Sequence, residues 1–409
     1  MVWYLFALLS PYMAWLVWAA LRYPVPFNYN WRSLWQRWAS TLSTTAAVAI
    51  VVMIYVVVLS MAQGVSQAYV RSGRWDDVVV LRQNARVEMM SVVTRDQARL
   101  ISTHPLVARD VWGPLITTDT IISKQVELAD GSGSLTVAVR GTTPAGIRMR
   151  SQVRLVKGRW FRPALSEIAV PARMLSRYAG LDLGGQMKMG GRTWTVVGIF
   201  DGSGSAFDSE IWTDVDELMQ AYHRTSAFSS VVLRAATPED VPALIHFVET
   251  DVRLKLEAKP EPTYFAEQSD AGRPMQILGQ IITVILTVGA IFAAMNTMYA
   301  SVAGRTSEIG TLRAIGFRRR EILASFLWEA IFLTVIGGVV GAGLSILFDG
   351  TKTGTVNMNT WSDVSFAFAV TPGLMAQGVG FSVLMGLLGG FLPAWRASRL
   401  PLTEAMKGG

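Results

Sequence analysis

The strongest signal in the sequence is Arg305, Glu308 and Arg313, threaded by Ile309, Leu312 and Ile315 and closed by Gly316. At these spacings the residues make one short helix with an apolar face and a ring of charge, stopped by the glycine. Such a helix can dock a protein; it has nothing with which to break a bond. Patterns for bond chemistry are missing elsewhere. There is no cysteine, so disulfides, thiolate metal sites and cysteine nucleophiles are excluded. His104, His223 and His246 stand singly, which does not suit a histidine metal cluster. No glycine is followed by lysine, so the Walker A loop that cradles nucleotide phosphates is absent. Neither Gly-x-Ser-x-Gly nor His-Glu-x-x-His occurs. The chain is read as a non-enzyme, with no catalytic, cofactor or metal residues of its own.

Composition says what must position that helix. The 409 residues are 51% hydrophobic and only 16% charged, with a mean hydropathy of +0.34. An ordinary soluble domain carries about 25% charged residues. Between Gly64 and Asp270 there are 24 basic and 24 acidic side chains, so the net charge of +7 belongs to the apolar remainder. A nucleic-acid binder would gather its excess on a folded polar face. Basic residues beside apolar stretches are instead the pattern of a membrane protein.

Four stretches reach the roughly 20 apolar residues that a bilayer crossing needs. They lie between Arg37 and Arg71, with the apolar part from about Leu42 to Met61; between Arg273 and Arg305; between Glu329 and Asp349, extended back through Ile322–Trp328; and from about Pro372 to Trp395. Glu329 is the single ionisable group well inside a span, expected one turn from its cytoplasmic end, where it would snorkel or pair with an arginine. An ion-coupled carrier would need more intramembrane charge than this. Eleven basic residues, Arg305, Arg313 and Arg318–Arg320 among them, flank one side, against Lys352 alone in the short loop Asp349–Thr371. The positive-inside bias puts the arginines in the cytoplasm and the neutral block after the first span outside. Residues Val2–Leu21 form a further apolar run, read as a fifth span, with a re-entrant or surface-lying segment as the alternative.

The outer block reads as α+β. Val78–Arg82, Leu135–Thr142 and Val231–Arg234 are β-rich, and Gln186–Phe200 is expected to be a hairpin turning at Gly190-Gly191. Thr94–Ser102, Arg173–Ala179 and Thr237–Val248 have helical spacing, with Thr94 and Thr237 as N-caps. Pro260-Glu261-Pro262 is read as the connector back to the membrane. Trp31, Leu34, Trp35, Trp38 and Leu42 make an amphipathic helix whose tryptophans suit the headgroup layer. The glycines Gly337, Gly338, Gly341, Gly343, Gly386, Gly389 and Gly390 would let helix backbones pack closely, within or between subunits.

The run Glu308-Ile-Gly-Thr-Leu-Arg-Ala-Ile-Gly316, with the Asn296–Ala303 stretch before it, closely resembles the coupling segment of MacB/FtsX-like ABC transporter permeases. Gly158–Phe161, Glu167–Val170 and Thr195–Phe200 are similar to that family's extracytoplasmic core, and Leu392–Pro401 with Glu404–Lys407 to its C-terminal exit. Leu183-Gly184-Gly185-Gln186 is superficially similar to the signature of ABC ATPases, but without a Walker A it reads as a turn before a strand. The resemblance implies an α-helical membrane protein of four transmembrane helices, or five with Val2–Leu21, and an inserted α+β periplasmic domain. Its parts would be residues 1–30, an extra hydrophobic segment; 31–63, the amphipathic helix and first core span; 64–272, the periplasmic domain; and 273–409, three spans and the coupling segment. It further implies that Arg305, Glu308, Ile309, Gly310, Leu312, Arg313 and Gly316 meet a separate cytoplasmic ABC ATPase, which holds ATP and Mg. A second permease copy, a periplasmic adaptor and the lipid bilayer of a bacterial inner membrane would be the other partners, with no nucleic acid. Export through the adaptor is the first expectation; an FtsX-like signalling or scaffold role and lipoprotein extraction are the alternatives.

Overall fold

The computed structural model describes residues 38–224, 226–269, 273–357 and 362–400. The expectations for Val2–Leu21, for Trp31–Arg37 of the amphipathic helix and for Glu404–Lys407 lie outside these residues. Residues 38–61, 275–350 and 368–400 form one compact unit, and residues 62–274 with 351–367 form another.

The first unit is helical. Its helices are α1 (Trp38–Val70, which runs on into the second unit) and, numbered after α2 (Arg95–Ser102), α3 (Pro144–Met149), α4 (Val215–Ala221), α5 (Val241–Thr250) and α6 (Glu261–Ser269) of the second unit, α7 (Arg273–Ala303), α8 (Thr306–Ala314), α9 (Arg319–Ser345) and α10 (Pro372–Ser398). Among the described residues, four helices are long and apolar enough to cross a membrane, over Thr41–Val70, Ile277–Ala303, Arg319–Phe348 and Pro372–Ser398. The glycines decide how they pack. A Cβ on Gly338 would lie 2.2 Å from Ser382 Oγ, and one on Gly390 would lie 2.4 Å from the Ala330 Cβ, so α9 and α10 touch almost backbone to backbone. Gly341 meets the Ala49 carbonyl of α1 at 2.3 Å in the same sense. These are contacts within one chain, which settles for them a choice that sequence left open. Gly343 is different and faces open space.

The second unit is built on a ten-stranded mixed sheet. In chain order its strands are β1 (Asp77–Arg82), β2 (Ile116–Glu127), β3 (Ser134–Thr142), β4 (Arg154–Gly158), β5 (Glu167–Pro171), β6 (Gln186–Met189), β7 (Arg192–Asp201), β8 (Glu210–Asp214), β9 (Ser230–Arg234) and β10 (Leu256–Pro260). They lie in the order β10-β1-β9-β2-β3-β8-β5-β7-β4, with β6 on β7. The long strand β2 joins two halves. Its start pairs with β9 through Ile116–Asp119, and its remainder pairs with β3 through Thr120–Glu127. Each half has its own core. One gathers Val78, Val80, Val231 and Leu233 under α5 (Val241–Thr250); the other gathers Val137, Val139, Ile168, Trp194 and Ile211 against α4 (Val215–Ala221). β1 is buried from Asp77 to Leu81 because helices as well as strands cover it, Val78 and Val80 lying in the core with Leu244 and Val248, which is why it reads as an unbroken valine run.

Local chemistry sets the boundaries. Thr94 caps α2 (Arg95–Ser102) in a reciprocal box with Gln97, and Thr237 does the same with Asp240 ahead of α5. Gly190 and Gly191 have φ of 56° and 73°, the positive values a tight hairpin turn between right-twisted strands requires. Arg173–Ala179 is not a helix. Only Ala172–Met174 makes a 3-10 turn; thereafter Tyr178 bridges the Leu128 backbone, and Arg173 and Arg177 reach out to Asp208 and Asp363. Tertiary partners thus override the helical spacing. Pro260-Glu261-Pro262 is no loose connector either: Pro260 is in register with Val78, and Glu261 opens α6 (Glu261–Ser269) as a buried residue. The loop Asp349–Thr371, unassigned from sequence, contains a hairpin of β11 (Lys352–Asn357) and β12 (Ser362–Ala367) that belongs to the second unit. Asp363 takes a 2.8 Å hydrogen bond from the Tyr178 hydroxyl, and Ser365 N–H donates to Ser209 Oγ at 2.7 Å.

Candidate functional site

The predicted docking segment is an elbow between α7 and α9. Helix α7 ends at Ala303, and Arg305 leaves helical geometry with φ −125° and ψ 18° before α8 begins at Thr306. The far end of α8 is closed by backbone geometry: Gly316 N–H donates to the Arg313 carbonyl and Phe317 N–H to the Leu312 carbonyl, with Gly316 at φ 115°. This pair of bonds is a Schellman stop, and the left-handed residue is where glycine costs least. Helix α9 restarts with Arg318 N–H donating to the Glu321 carboxylate at 2.8 Å.

Arg305 anchors the elbow. Its guanidinium donates to Glu329 Oε2 at 2.9 Å, and the Ser301 hydroxyl donates to Glu329 Oε1 at 3.0 Å. The side chains of Arg305 and Glu329 are only 9% and 4% exposed. The expected arginine partner for Glu329 is therefore found. Because α9 starts at Arg319, however, the carboxylate sits in the third helical turn rather than the first. Without the arginine, so buried a carboxylate would be severely penalised.

The docking face differs from the sequence expectation. Ile309 is buried against Met298, Val302, Ile322 and Phe326, and Gly310 is buried beside it. They cannot offer themselves to a partner while α8 stays packed. Leu312 is half-buried, and Arg313 donates to the Leu400 carbonyl at 2.6 Å. Glu308 and Ile315, seven residues apart and so on one helix face, stand out at 55% and 74% exposed. The split has a simple cause: a nine-residue helix lying on a bundle must bury one stripe there, and Ile309 is on that stripe. Ser301, Glu321 and the Leu400 carbonyl are parts of the site that spacing did not reveal.

Residues 41–249 match the MacB-like periplasmic core domain and residues 280–402 the FtsX-like permease C-terminal domain. The chain belongs to the MacB/FtsX-like ABC transporter permeases. The macrolide export ATP-binding/permease protein MacB of Brucella abortus (strain 2308) is 39% identical over 130 residues, which is 32% of this chain and 19% of that protein. MacB of Hahella chejuensis (strain KCTC 2396) is 30% identical over 237 residues, 55% of this chain and 35% of that protein. The chain thus spans between a fifth and about a third of the length of these relatives. The crystal structure of the periplasmic region of MacB from Actinobacillus actinomycetemcomitans aligns with 47% of this chain and 92% of its own at 11% identity, with a TM-score of 0.37.

In this MacB/FtsX-like permease the elbow falls inside the FtsX-like stretch, and nearly all of the sheet lies in the periplasmic core stretch. The periplasmic domain has a buried charge junction of its own where β2 passes between the two halves. Arg140 of β3 donates to Asp119 of β2 at 2.8 Å, to Glu88 at 3.0 and 2.9 Å, and to Glu210 of β8 at 2.5 and 2.9 Å. Arg150 adds a second bond to Asp119 at 2.5 Å, and Ser230 of β9 donates to Glu88. Burial alone would raise the Asp119 carboxyl, but Arg150 and Arg140 override it and hold it at about 2. Glu261, which accepts a hydrogen bond from the Arg74 N–H, is pushed up to about 8 by its burial and by the nearby Asp77. The signal for this junction was present in the sequence as Arg140, the single charge in the strand Ser134–Thr142.

Proposed function

We propose that this permease is the transmembrane subunit of an ABC transporter in a bacterial inner membrane, driven by a separate cytoplasmic ATPase that holds ATP and Mg. The observation that supports this reading best is the elbow. A short helix sits between two membrane helices, shows Glu308 and Ile315 outward, and is tied to α9 by a buried ion pair, so a push on its outer face has a stiff route into the bundle. The helices would relay ATP-driven motion to the periplasmic domain, in which the Arg140 junction lets the two half-sheets move together. Export through a periplasmic adaptor is the outcome we favour, because the similar proteins of Brucella and Hahella are named for macrolide export. A second copy of the chain completes the assembly.

The test is a set of substitutions in the reconstituted complex. Glu308→Lys reverses the exposed charge beside Arg305 and Arg313; Leu312→Asp removes half-buried apolar surface next to it. Both variants are expected to insert normally yet to lose transport and ATPase co-purification. Asp130→Lys, in an exposed periplasmic turn, should change neither. Full transport and partner binding by Glu308→Lys would show that α8 is not the docking helix.

A further inference from the structure

Within the periplasmic domain lies a cleft of about 650 Å³ whose walls carry Arg71, Arg173, Arg177 and Lys352. That is within the size range of small-molecule sites, about 300–1,000 Å³. The four cations come from three distant parts of the chain. Arg71 directly follows α1, Arg173 and Arg177 follow β5, and Lys352 opens the β11–β12 hairpin. Two have their charge met: Arg173 pairs with Asp208 at 3.2 Å and Arg177 with Asp363 at 3.1 Å. Arg71 and Lys352 are exposed, and neither has an ion-pair partner among the described residues. Asp201 is the one acid on the wall, and it is engaged by the Ser203 N–H at 3.2 Å.

The guanidiniums of Arg71 and Arg173 converge on Gly204. A Cβ there would lie 3.2 Å from Arg71 Nη1 and 3.6 Å from Arg173 Nη2. The glycine is held at φ +78° in a loop whose Gly202 and Gly204 N–H groups both donate to the buried Asp208, at 2.7 and 2.8 Å. Two guanidiniums, one of them paired with Asp208, thus approach the same glycine, which puts no side chain of its own between them. Counting Asp201, Asp208 and Asp363 against the four cations leaves one positive charge.

We infer that this cleft binds a singly charged phosphodiester, with Arg71 and Arg173 gripping its free oxygens and Lys352 supplying the remaining charge. Guanidinium forks match the oxygen spacing of phosphate, and a monoanion balances the cleft. The hydroxyls of Ser176 and Thr353 line the same wall and can serve the ester oxygens. Such a group is carried by a phospholipid headgroup or by a soluble phosphodiester. Either would draw together Arg71 and Lys352, whose segments run straight into α1 and, through residues 346–351, α9. Occupancy of the cleft would then be felt at two membrane helices, a sensing role beyond coupling to an ATPase.

The experiment uses the full chain in dodecyl maltoside micelles, which carry no phosphate. One arm titrates glycerophosphoglycerol by calorimetry; the other adds phosphatidylglycerol to the micelles and counts retained lipid by native mass spectrometry. Binding in either arm is expected to weaken at least tenfold in Arg71→Gln and in Lys352→Gln, and to fall with added salt. Lys188→Gln, at an exposed lysine outside the cleft, should bind as the parent does. Binding in the first arm identifies a soluble ligand, and binding in the second alone identifies a lipid. Glycerate bound as tightly as the phosphodiester would overturn the ligand class. No binding in either arm, or binding untouched by both cleft substitutions, would overturn the site.

Discussion

Replacing Glu329 by Gln tests the elbow most sharply. Glutamine keeps the shape and an acceptor for the Ser301 hydroxyl, but it leaves the Arg305 guanidinium buried without its 2.9 Å counter-ion. Removing one member of a buried pair typically costs about 3–5 kcal/mol. Among the described residues Arg305 also meets the Glu308 carboxylate, at 3.5 Å and half exposed, and a pair of that kind returns about 0–1 kcal/mol. The loss should therefore survive almost whole. It should appear as a lowered unfolding temperature of the chain in nanodiscs, with α8 becoming accessible to protease. Because the outward face of α8 is untouched, a partner ATPase should still bind, but its hydrolysis should no longer drive transport. The double substitution Arg305→Glu with Glu329→Arg re-forms the pair with its direction reversed and should recover much of both stability and coupling. A Glu329→Gln variant as stable and as well coupled as the parent would refute the argument. So would a destabilised variant that the charge swap fails to improve at all, since the loss would then not be that of an ion pair.

The same logic applies in the periplasmic domain: Arg140→Met strands Glu88 and Glu210, while Asp119 keeps Arg150, and should cost about 3–5 kcal/mol, read as a shift in denaturant midpoint. Glu261 carries a folded pKa of about 8 against 4.5 in the open chain, so the native state holds the extra proton between those values. Stability should fall as pH rises through that window, and Glu261→Gln should flatten this slope while leaving the acid limb, where Asp119 is protonated only near pH 2, in place. Cysteines placed at Ser132 and Asn357 should react with an impermeant thiol reagent from outside intact cells and one at Ser307 should not; labelling of Ser307 would reverse the orientation.

What could be read from the chain alone was whatever depends on local pattern. Four apolar stretches, the arginine asymmetry around them, the Gly190-Gly191 hairpin and the Thr94 and Thr237 caps are all short-range. Each needs only a bilayer's thickness, a turn's dihedral angles or one hydrogen bond across three residues. The stop at Gly316 is of the same kind, which is why the extent of α8 was legible. What the tertiary structure decided were matters of facing and of distant partners. Ile309 and Ile315 are equally apolar in sequence, yet one is core and the other surface, because the bundle lies on one side of α8 only. Arg305 finds Glu329 24 positions away, and Arg140 meets acids from 21 to 70 positions away. Arg173 and Arg177 leave a helical pattern for carboxylates elsewhere in the chain. The hairpin after α9 joins the outer domain rather than forming a plain loop. Periodicity records which side of an element is apolar; only packing supplies the neighbour that makes that side an interior, and only chain closure over long separations brings opposite charges to within 3 Å.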